Sequence, residues 1–209
     1  MLNRLQGTLM IRPQSSRLQL VDGFFMGTSG VHETVARLAR TLTELKLPFV
    51  VSGALAVNRY GHLRATTDVD LLMHRESLQT FKERHIGLGW VNKFEGSKGF
   101  RDTITNIPID ILIAGDFPGD GLPKPVAFPN PLDVAEMDDE GIPFINLPSL
   151  IELKLASGMT APDRPRDLDD VIQLIRKNDL PREYGERLNP YVHETWFRLW
   201  EASRRRDDY

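Results

Sequence analysis

The sequence predicts an α/β (α+β) protein in which a mixed β-sheet is flanked by helices and followed by a helical C-terminal extension. Up to about residue 147, short apolar runs typical of strands alternate with runs whose apolar residues recur at helical spacing. Beyond that point the pattern is almost entirely helical. We therefore assign an α/β core to residues 1–147, in which residues 1–28 have no clear pattern, and a helical extension packed on that core to residues 148–209.

Local signals predict the elements of the core. An apolar stripe predicts a first helix over residues 31–46, and Pro48 ends it. Helical spacing also predicts helices over residues 54–59 and 75–85. Runs of β-branched and aromatic residues bounded by turn residues predict the strands, at 49–51, 67–73, 90–94, 100–105, 107–113, 126–128 and 142–145.

The extension begins with a helix and continues with at least one more. Ser149 and Glu152 have the spacing of a capping box, which predicts a helix that starts there and runs to about Ser157. A second helix is predicted over residues 165–177, and prolines interrupt the helical segment that remains.

Composition excludes several classes of protein. The chain is 41% hydrophobic and 26% charged, which is typical of a soluble globular protein. Its net charge of -3 and isoelectric point near 6.0 argue against a large nucleic-acid-binding surface. Without cysteine it has no disulfide and no thiolate ligand or nucleophile. No apolar stretch approaches the roughly 20 residues of a membrane span, so we expect a cytoplasmic protein with no membrane partner.

Three aspartates in apolar strands are the main chemical signal. Asp68 and Asp70 are two residues apart, a spacing that places both on one face of a strand, and Asp110 lies alone in the strand over residues 107–113. Aspartate is disfavoured in strands, and burying a carboxylate is costly unless something pairs with it. The solvent end of a strand would explain the first two, but Asp110 weakens that interpretation. Together they predict a magnesium site and metal-assisted phosphoryl or nucleotidyl transfer.

Two further features lie close to these aspartates in the sequence. Ser52 and Gly53 stand at a strand-to-helix junction, where small residues serve tight packing or let a phosphate approach free backbone amides. Arg64 precedes Asp68 by four residues, and it either holds a phosphate or pairs with an acid. Both alternatives stay open for each feature.

A lysine in the first helix of the extension is the last candidate. Lys154 falls near the middle of an apolar arc, so its ammonium must reach water or meet an anion. In the next helix Asp167 falls on the apolar arc, whereas Asp169 and Asp170 are predicted to point outward. An internal pair between Lys154 and Asp167 and a contact between Lys154 and a triphosphate are both open.

In this order, the motifs resemble the DNA polymerase beta-type nucleotidyltransferase superfamily, and among its members the small bacterial nucleotidyltransferases akin to abortive-infection type II toxins. The resemblance covers about residues 48 to 176. It departs from the family pattern at Ser52, where glycine is usual, and in a slightly long spacing from there to Asp68. The motifs that carry it are Ser52-Gly53, Gly61, Arg64-Ala65-Thr66, Asp68-Val69-Asp70, Asp110, and Leu150 to Ala156 followed by Arg164, Arg166-Asp167 and Asp170.

The resemblance implies a nucleotidyltransferase fold and metal-dependent transfer of a nucleoside monophosphate from an NTP to a hydroxyl. By resemblance, Asp68 and Asp70 bind two Mg²⁺ (or Mn²⁺) ions, and Asp110 binds one of them and activates the acceptor. The Ser52–Gly53 turn cradles the β- and γ-phosphates. Arg64 and Lys154 are the remaining candidates for contact with the nucleotide.

The resemblance leaves the acceptor open among tRNA, a protein and a small molecule, and it implies a possible toxin-like or defence role with an antitoxin partner. The alternative function is a non-catalytic toxin–antitoxin or regulatory nucleotide-binding scaffold, which the intact Asp68, Asp70 and Asp110 disfavour. A metal-dependent phosphodiesterase is a second rival. It would usually need histidine ligands, and no histidine here has a ligand-like spacing.

Overall fold

A computed structural model describes residues 29–205, so the predicted N-terminal segment and residues 206–209 of the extension lie outside the described part. Two short 3₁₀ turns, Arg182–Arg187 and Pro190–Val192, precede the last helix. The strands and α-helices are α1 (Gly30–Glu44), β1 (Phe49–Val51), α2 (Gly53–Arg59), β2 (Val69–Met73), α3 (Arg75–His85), β3 (Trp90–Asn92), β4 (Phe100–Asp102), β5 (Pro108–Ile113), α4 (Pro131–Val134), β6 (Ala135–Met137), β7 (Pro143–Ile145), α5 (Leu147–Thr160), α6 (Pro165–Lys177) and α7 (His193–Ser203).

The strands form one mixed sheet in the order β3-β4-β5-β2-β1-β7-β6, which confirms the predicted fold class. β2 pairs in parallel with β5 and antiparallel with β1, so it lies at the centre of the sheet. All three residues of β1 are buried, as expected for a strand covered on both faces. β5 instead alternates, with Ile109, Ile111 and Ile113 buried and the residues between them partly exposed. This alternation turns Asp110 away from the isoleucine face.

Several predicted strands differ from the structure. β3 and β4 end at Asn92 and Asp102, earlier than predicted, and β6 was not predicted. No strand forms at 126–128: the backbone of Phe128 instead bonds to Gly115 and Asp116, with two N···O distances of 2.8 Å that anchor a long loop. β2 starts at Val69 rather than at residue 67, so Asp68 lies on the bend that leads into the strand.

The predicted capping box was wrong. α5 begins at Leu147, and its N-cap is Asn146, whose Oδ1 accepts a hydrogen bond from the backbone N–H of Ser149 at 3.0 Å. Asparagine caps at least as well as serine, and Pro148 fits in the first turn because no N–H is needed there. Glu152 accepts instead from the backbone N–H of Asn189 at 2.6 Å.

The helices after residue 147 share one apolar core with the sheet. Ile151, Leu174 and Trp196 are completely buried, one each from α5, α6 and α7, and they belong to the same cluster as Leu72 of β2. Within residues 29–205, none of the helices has the length and apolar character needed to cross a membrane.

Replacing Asn146 with alanine tests the observed cap. Asn146→Ala should lower the free energy of unfolding by about 1 kcal/mol, because an amide N–H at the start of α5 loses its acceptor. Ser149→Ala is the control and should change it by less than about half that amount. Urea unfolding followed by circular dichroism measures both variants. A larger loss of unfolding free energy in Ser149→Ala than in Asn146→Ala would support the capping box instead.

Candidate active site

The sheet brings the three predicted aspartates to one place. Asp70 of β2 and Asp110 of β5 are direct partners across the parallel pair, and Asp68 comes just before β2. Cross-strand partners point to the same face of a sheet. The acids are therefore close, although they come from segments about 40 residues apart in the sequence.

The pKa of Asp70 is raised by this arrangement. Burial is the main cause that raises its pKa, and the nearby charge of Asp68 raises it further, as do Asp110 and Asp167. The cation of Lys154 opposes this shift, and the resulting pKa is about 6, above the ordinary 3.8. The cluster is thus short of positive charge, and one more cation would relieve it.

The other two carboxylates already have partners. Asp68 accepts a hydrogen bond from the Thr66 hydroxyl at 2.5 Å, and Asp110 forms an ion pair with Lys93 at 2.6 Å. In the part of the chain that the structure describes, no three acidic, histidine or cysteine side chains converge as a ready-made metal cage. The donor set nevertheless fits magnesium in its chemistry, because all three ligands are carboxylate oxygens.

The Ser52–Gly53 turn rests directly on Asp70. The backbone N–H of Ser52 donates to the Asp70 carbonyl oxygen at 2.9 Å. Gly53 has a φ of +59°, and a Cβ at this position would lie 1.8 Å from Asp70 Oδ2. Only glycine fits here, because any other side chain would overlap the carboxylate. The sequence alternative of tight packing is therefore confirmed, and phosphate contact stays a prediction.

Lys154 forms the internal ion pair that the sequence left open. Its ammonium is buried and lies 2.9 Å from Asp167 Oδ1 and 2.7 Å from Asp170 Oδ2. The outward orientation predicted for Asp170 was wrong: its side chain is 2% exposed. On a helix Asp170 lies only about 60° from Asp167, so both reach the same side of α6. Contact of Lys154 with a triphosphate stays a prediction.

Arg64 also pairs with an acid, and again the acid is Asp170. Its Nη2 lies 2.9 Å from Asp170 Oδ2. The Asn58 side chain holds the backbone of Arg64 at both polar atoms, accepting from its N–H at 2.9 Å and donating to its C=O at 2.8 Å. Asp170 thus ties the segment before Asp68 to the C-terminal helices, and contact of Arg64 with a nucleotide stays a prediction.

Sequence reasoning missed the partners of the predicted residues. Lys93 and Asn58 carried no signal in the sequence, because each acts through a contact that the fold creates. Thr66 belongs to the Arg64-Ala65-Thr66 motif, but its hydrogen bond to Asp68 was not predicted. Asp170 did carry a signal, since it follows the inward-facing Asp167 by three residues and positions three apart share a helix face.

Two recesses open beside Asp70. The first, which we call the cationic recess, has a volume of about 380 Å³ and is lined by Asp68, Asp70, Arg64, Lys154 and Arg166 among others. The second, the apolar recess, has a volume of about 90 Å³ and is lined by Asp70 together with Leu112, Phe128, Leu150, Leu153 and Ser157 among others.

A larger cavity lies away from these acids. Its volume is about 450 Å³, and its lining includes Val35 of α1, Leu55 of α2 and Phe144 of β7. None of the site residues predicted from the sequence lines it. The largest of these cavities and the predicted site residues therefore do not coincide.

Comparison with solved structures identifies the fold. A crystallised antigenic nucleotidyltransferase-like protein from Paracoccidioides brasiliensis superposes with a TM-score of 0.53 at 15% sequence identity, over 82% of this chain and 87% of that one. The fold is nucleotidyltransferase-like. No model of a protein family matches the chain, and no curated protein matches it.

Two further solved structures align with this nucleotidyltransferase-like chain at lower scores. A candidate nucleotidyltransferase from Thermotoga maritima has a TM-score of 0.44 and 17% identity, over 68% of this chain and 95% of that one. The antibiotic-resistance factor ANT(2'')-Ia has a TM-score of 0.40 and 18% identity, over 81% of this chain and 82% of that one.

The charge cluster predicts that Asp70 destabilises the metal-free protein. Its pKa is higher in the folded chain than the 3.8 of the unfolded one, so stability falls as pH rises from about 4 and the loss is complete above the folded value of about 6. In EDTA at pH 8, Asp70→Asn should therefore raise the free energy of unfolding, by on the order of 1–2 kcal/mol after allowance for solvent screening.

The control for this variant is Asp116→Asn. Hydrogen bonding from Lys98 lowers the pKa of Asp116, so removing that charge should leave stability unchanged or lower it. Thermal unfolding at pH 5 and pH 8 gives the comparison, and the gain in Asp70→Asn should shrink at the lower pH. A less stable Asp70→Asn at pH 8 would contradict the proposed charge strain.

Asp170 should be a main source of stability in this region. Asp170→Asn leaves Arg64 and Lys154 without a shared buried carboxylate, and the free energy of unfolding should fall by about 3 kcal/mol. Asp169→Asn changes an exposed neighbour on the same helix and should cost less than about 0.5 kcal/mol. Urea unfolding separates the two, and equal effects would show that the buried cluster is not stabilising.

Proposed function

We propose that the chain is a metal-dependent nucleotidyltransferase that moves a nucleoside monophosphate from an NTP to a hydroxyl acceptor and releases pyrophosphate. The observation that carries the proposal is the pairing of Asp70 with Asp110 in register, with Asp68 beside them and the Gly53 turn seated on Asp70. The nucleotidyltransferase-like fold is consistent with this function.

The three carboxylates would hold the metal in this proposal. Asp68 and Asp70 would ligate both ions, and Asp110 would ligate one, as the charge shortage at Asp70 favours. When bound, Mg²⁺ or Mn²⁺ neutralises charge on the phosphate oxygens and on the departing pyrophosphate. Metal binding would also offset the stability that the arrangement costs in its absence.

The cationic recess is the proposed site for the triphosphate. Arg64, Lys154 and Arg166 line it beside Asp68 and Asp70. Arg64 keeps a buried Nε–H with no hydrogen-bond partner among residues 29–205, and a phosphate oxygen would satisfy it. The Ser52–Gly53 turn would meet the β- and γ-phosphates.

Asp110 is the proposed general base. Its side chain is 47% exposed, so an acceptor hydroxyl can approach it. The hydroxyl oxygen attacks the α-phosphorus as its proton passes to Asp110, and the bond from the α-phosphorus to the bridging oxygen of the β-phosphate breaks. The work of the protein is then orientation and charge neutralisation.

The acceptor stays open among tRNA, a protein and a small molecule, and the net charge of -3 mildly disfavours a large RNA. A toxin-like or defence role with an antitoxin partner rests on the sequence resemblance alone. The scaffold alternative keeps nucleotide binding and lacks transfer.

Nucleotide binding is the first test. Isothermal titration of each NTP in Mg²⁺ should give binding to the wild type, and Asp68→Asn/Asp70→Asn should weaken it at least roughly tenfold because the metal ligands are lost. Asp169→Asn should bind like the wild type. Labelled NTP is then screened against pools of tRNA, protein and small-molecule acceptors.

The outcomes separate the two functions. Transfer of label by the wild type and not by the double variant supports the enzyme. Nucleotide binding that the double variant retains, without transfer, supports the scaffold. A folded wild type that binds no nucleotide contradicts both functions.

A further inference from the structure

Lys93 lies at the same level of the sheet as the catalytic carboxylates. It follows β3, and its backbone N–H donates to the carbonyl oxygen of Gly99, just before β4, at 3.3 Å. The next residue pairs connect β4 to β5 through Phe100 and Ile109, and β5 to β2 through Asp110 and Asp70. One row across four strands thus contains a lysine, a glycine and two aspartates.

The glycine in this row leaves room for the lysine. A Cβ at Gly99 would lie 2.6 Å from the Ile109 carbonyl oxygen, 3.2 Å from Lys93 Cδ and 3.3 Å from Asp110 Oδ1. Because no side chain stands there, the stem of Lys93 passes over β4 and its ammonium reaches Asp110 at 2.6 Å. The backbone of the β3–β4 hairpin therefore allows the contact between Lys93 and Asp110.

Lys93 is held by fewer contacts than Lys154, the other lysine near the aspartates. Lys154 is buried between Asp167 and Asp170. Lys93 is 20% exposed, and across residues 29–205 Asp110 is the one acid within ion-pair distance of it. The pair is also at the edge of the cluster, since Asp110 is about half exposed.

We propose that Lys93 is a positioning residue that serves as the internal counter-cation of Asp110 and competes with the divalent metal for this carboxylate. The inference rests on the proposed function, because it assigns Asp110 to the metal. An ammonium and a divalent ion cannot share the same oxygen closely, so Lys93 must release Asp110 before that oxygen becomes a ligand. The affinity of the free protein for metal is lowered accordingly.

Competition also links metal binding to the nucleotide. Phosphate oxygens add ligands and negative charge to those of the three carboxylates, so the ion gains more from a site that already holds a triphosphate. Lys93 would therefore keep Asp110 occupied until substrate is present.

Titration with Mn²⁺ alone, followed by electron paramagnetic resonance, tests the competition without measuring activity. Lys93→Met should bind Mn²⁺ roughly 5- to 10-fold more tightly than the wild type, because a competing charge is removed. Lys93→Arg keeps the charge and should bind like the wild type. Lys98→Met is the matched control, since Lys98 is on the same hairpin and pairs with Asp116 outside the cluster.

The results distinguish failure of this inference from failure of the proposed function. Mn²⁺ binding that Asp70→Asn abolishes, with equal affinity in wild type and Lys93→Met, overturns the role of Lys93 and leaves the metal site in place. An equal gain in Lys98→Met overturns it as well, because the effect would then reflect net charge. No Mn²⁺ binding in the wild type or in Lys93→Met overturns both proposals.

Discussion

The parallel, in-register pairing of β2 and β5 is the constraint on which the rest of the site depends. It places Asp70 beside Asp110 in the middle of a sheet, where the two carboxylates repel each other and burial disfavours the charge of Asp70. Several neighbouring residues accommodate these two carboxylates. A side chain at position 53 would overlap the Asp70 carboxylate, and one at position 99 would crowd Lys93 and Asp110. The positive charge of Lys154 lowers the pKa of Asp70 and so offsets part of the repulsion.

The two lysines serve the cluster in different ways. Lys154 is fixed by a pair of acids and joins α5 to α6, so it is part of the framework. Among residues 29–205, Lys93 pairs with one carboxylate, the partly exposed Asp110, and we propose that it releases this partner when metal binds. In our proposal Lys154 stabilises the metal-free site, and Lys93 leaves Asp110 available as a ligand.

The sequence was sufficient to predict that the three aspartates lie together, but not to predict which residues contact them. Alternation along β5 and the spacing of Asp68 and Asp70 are local patterns, and the sheet and the placement of Asp110 followed from them. The contacts of Lys93 with Asp110 and of Asp170 with Arg64 join residues 17 and 106 positions apart, and no local pattern encodes such distances. The false strand at 126–128 and the false cap at Ser149 have a related origin, because neighbouring backbone and Asn146 offered better partners.

The link between Arg64 and Asp170 has a consequence for how the protein is made. Asp68 and the strands with Asp70 and Asp110 leave the ribosome before α6, so during synthesis these acids exist without the carboxylate that fixes the segment in front of Asp68. An incomplete chain therefore has the three carboxylates without the ion pair that holds Arg64 against α6. The segment in front of Asp68 reaches its final position only after α6 has been synthesised and has packed.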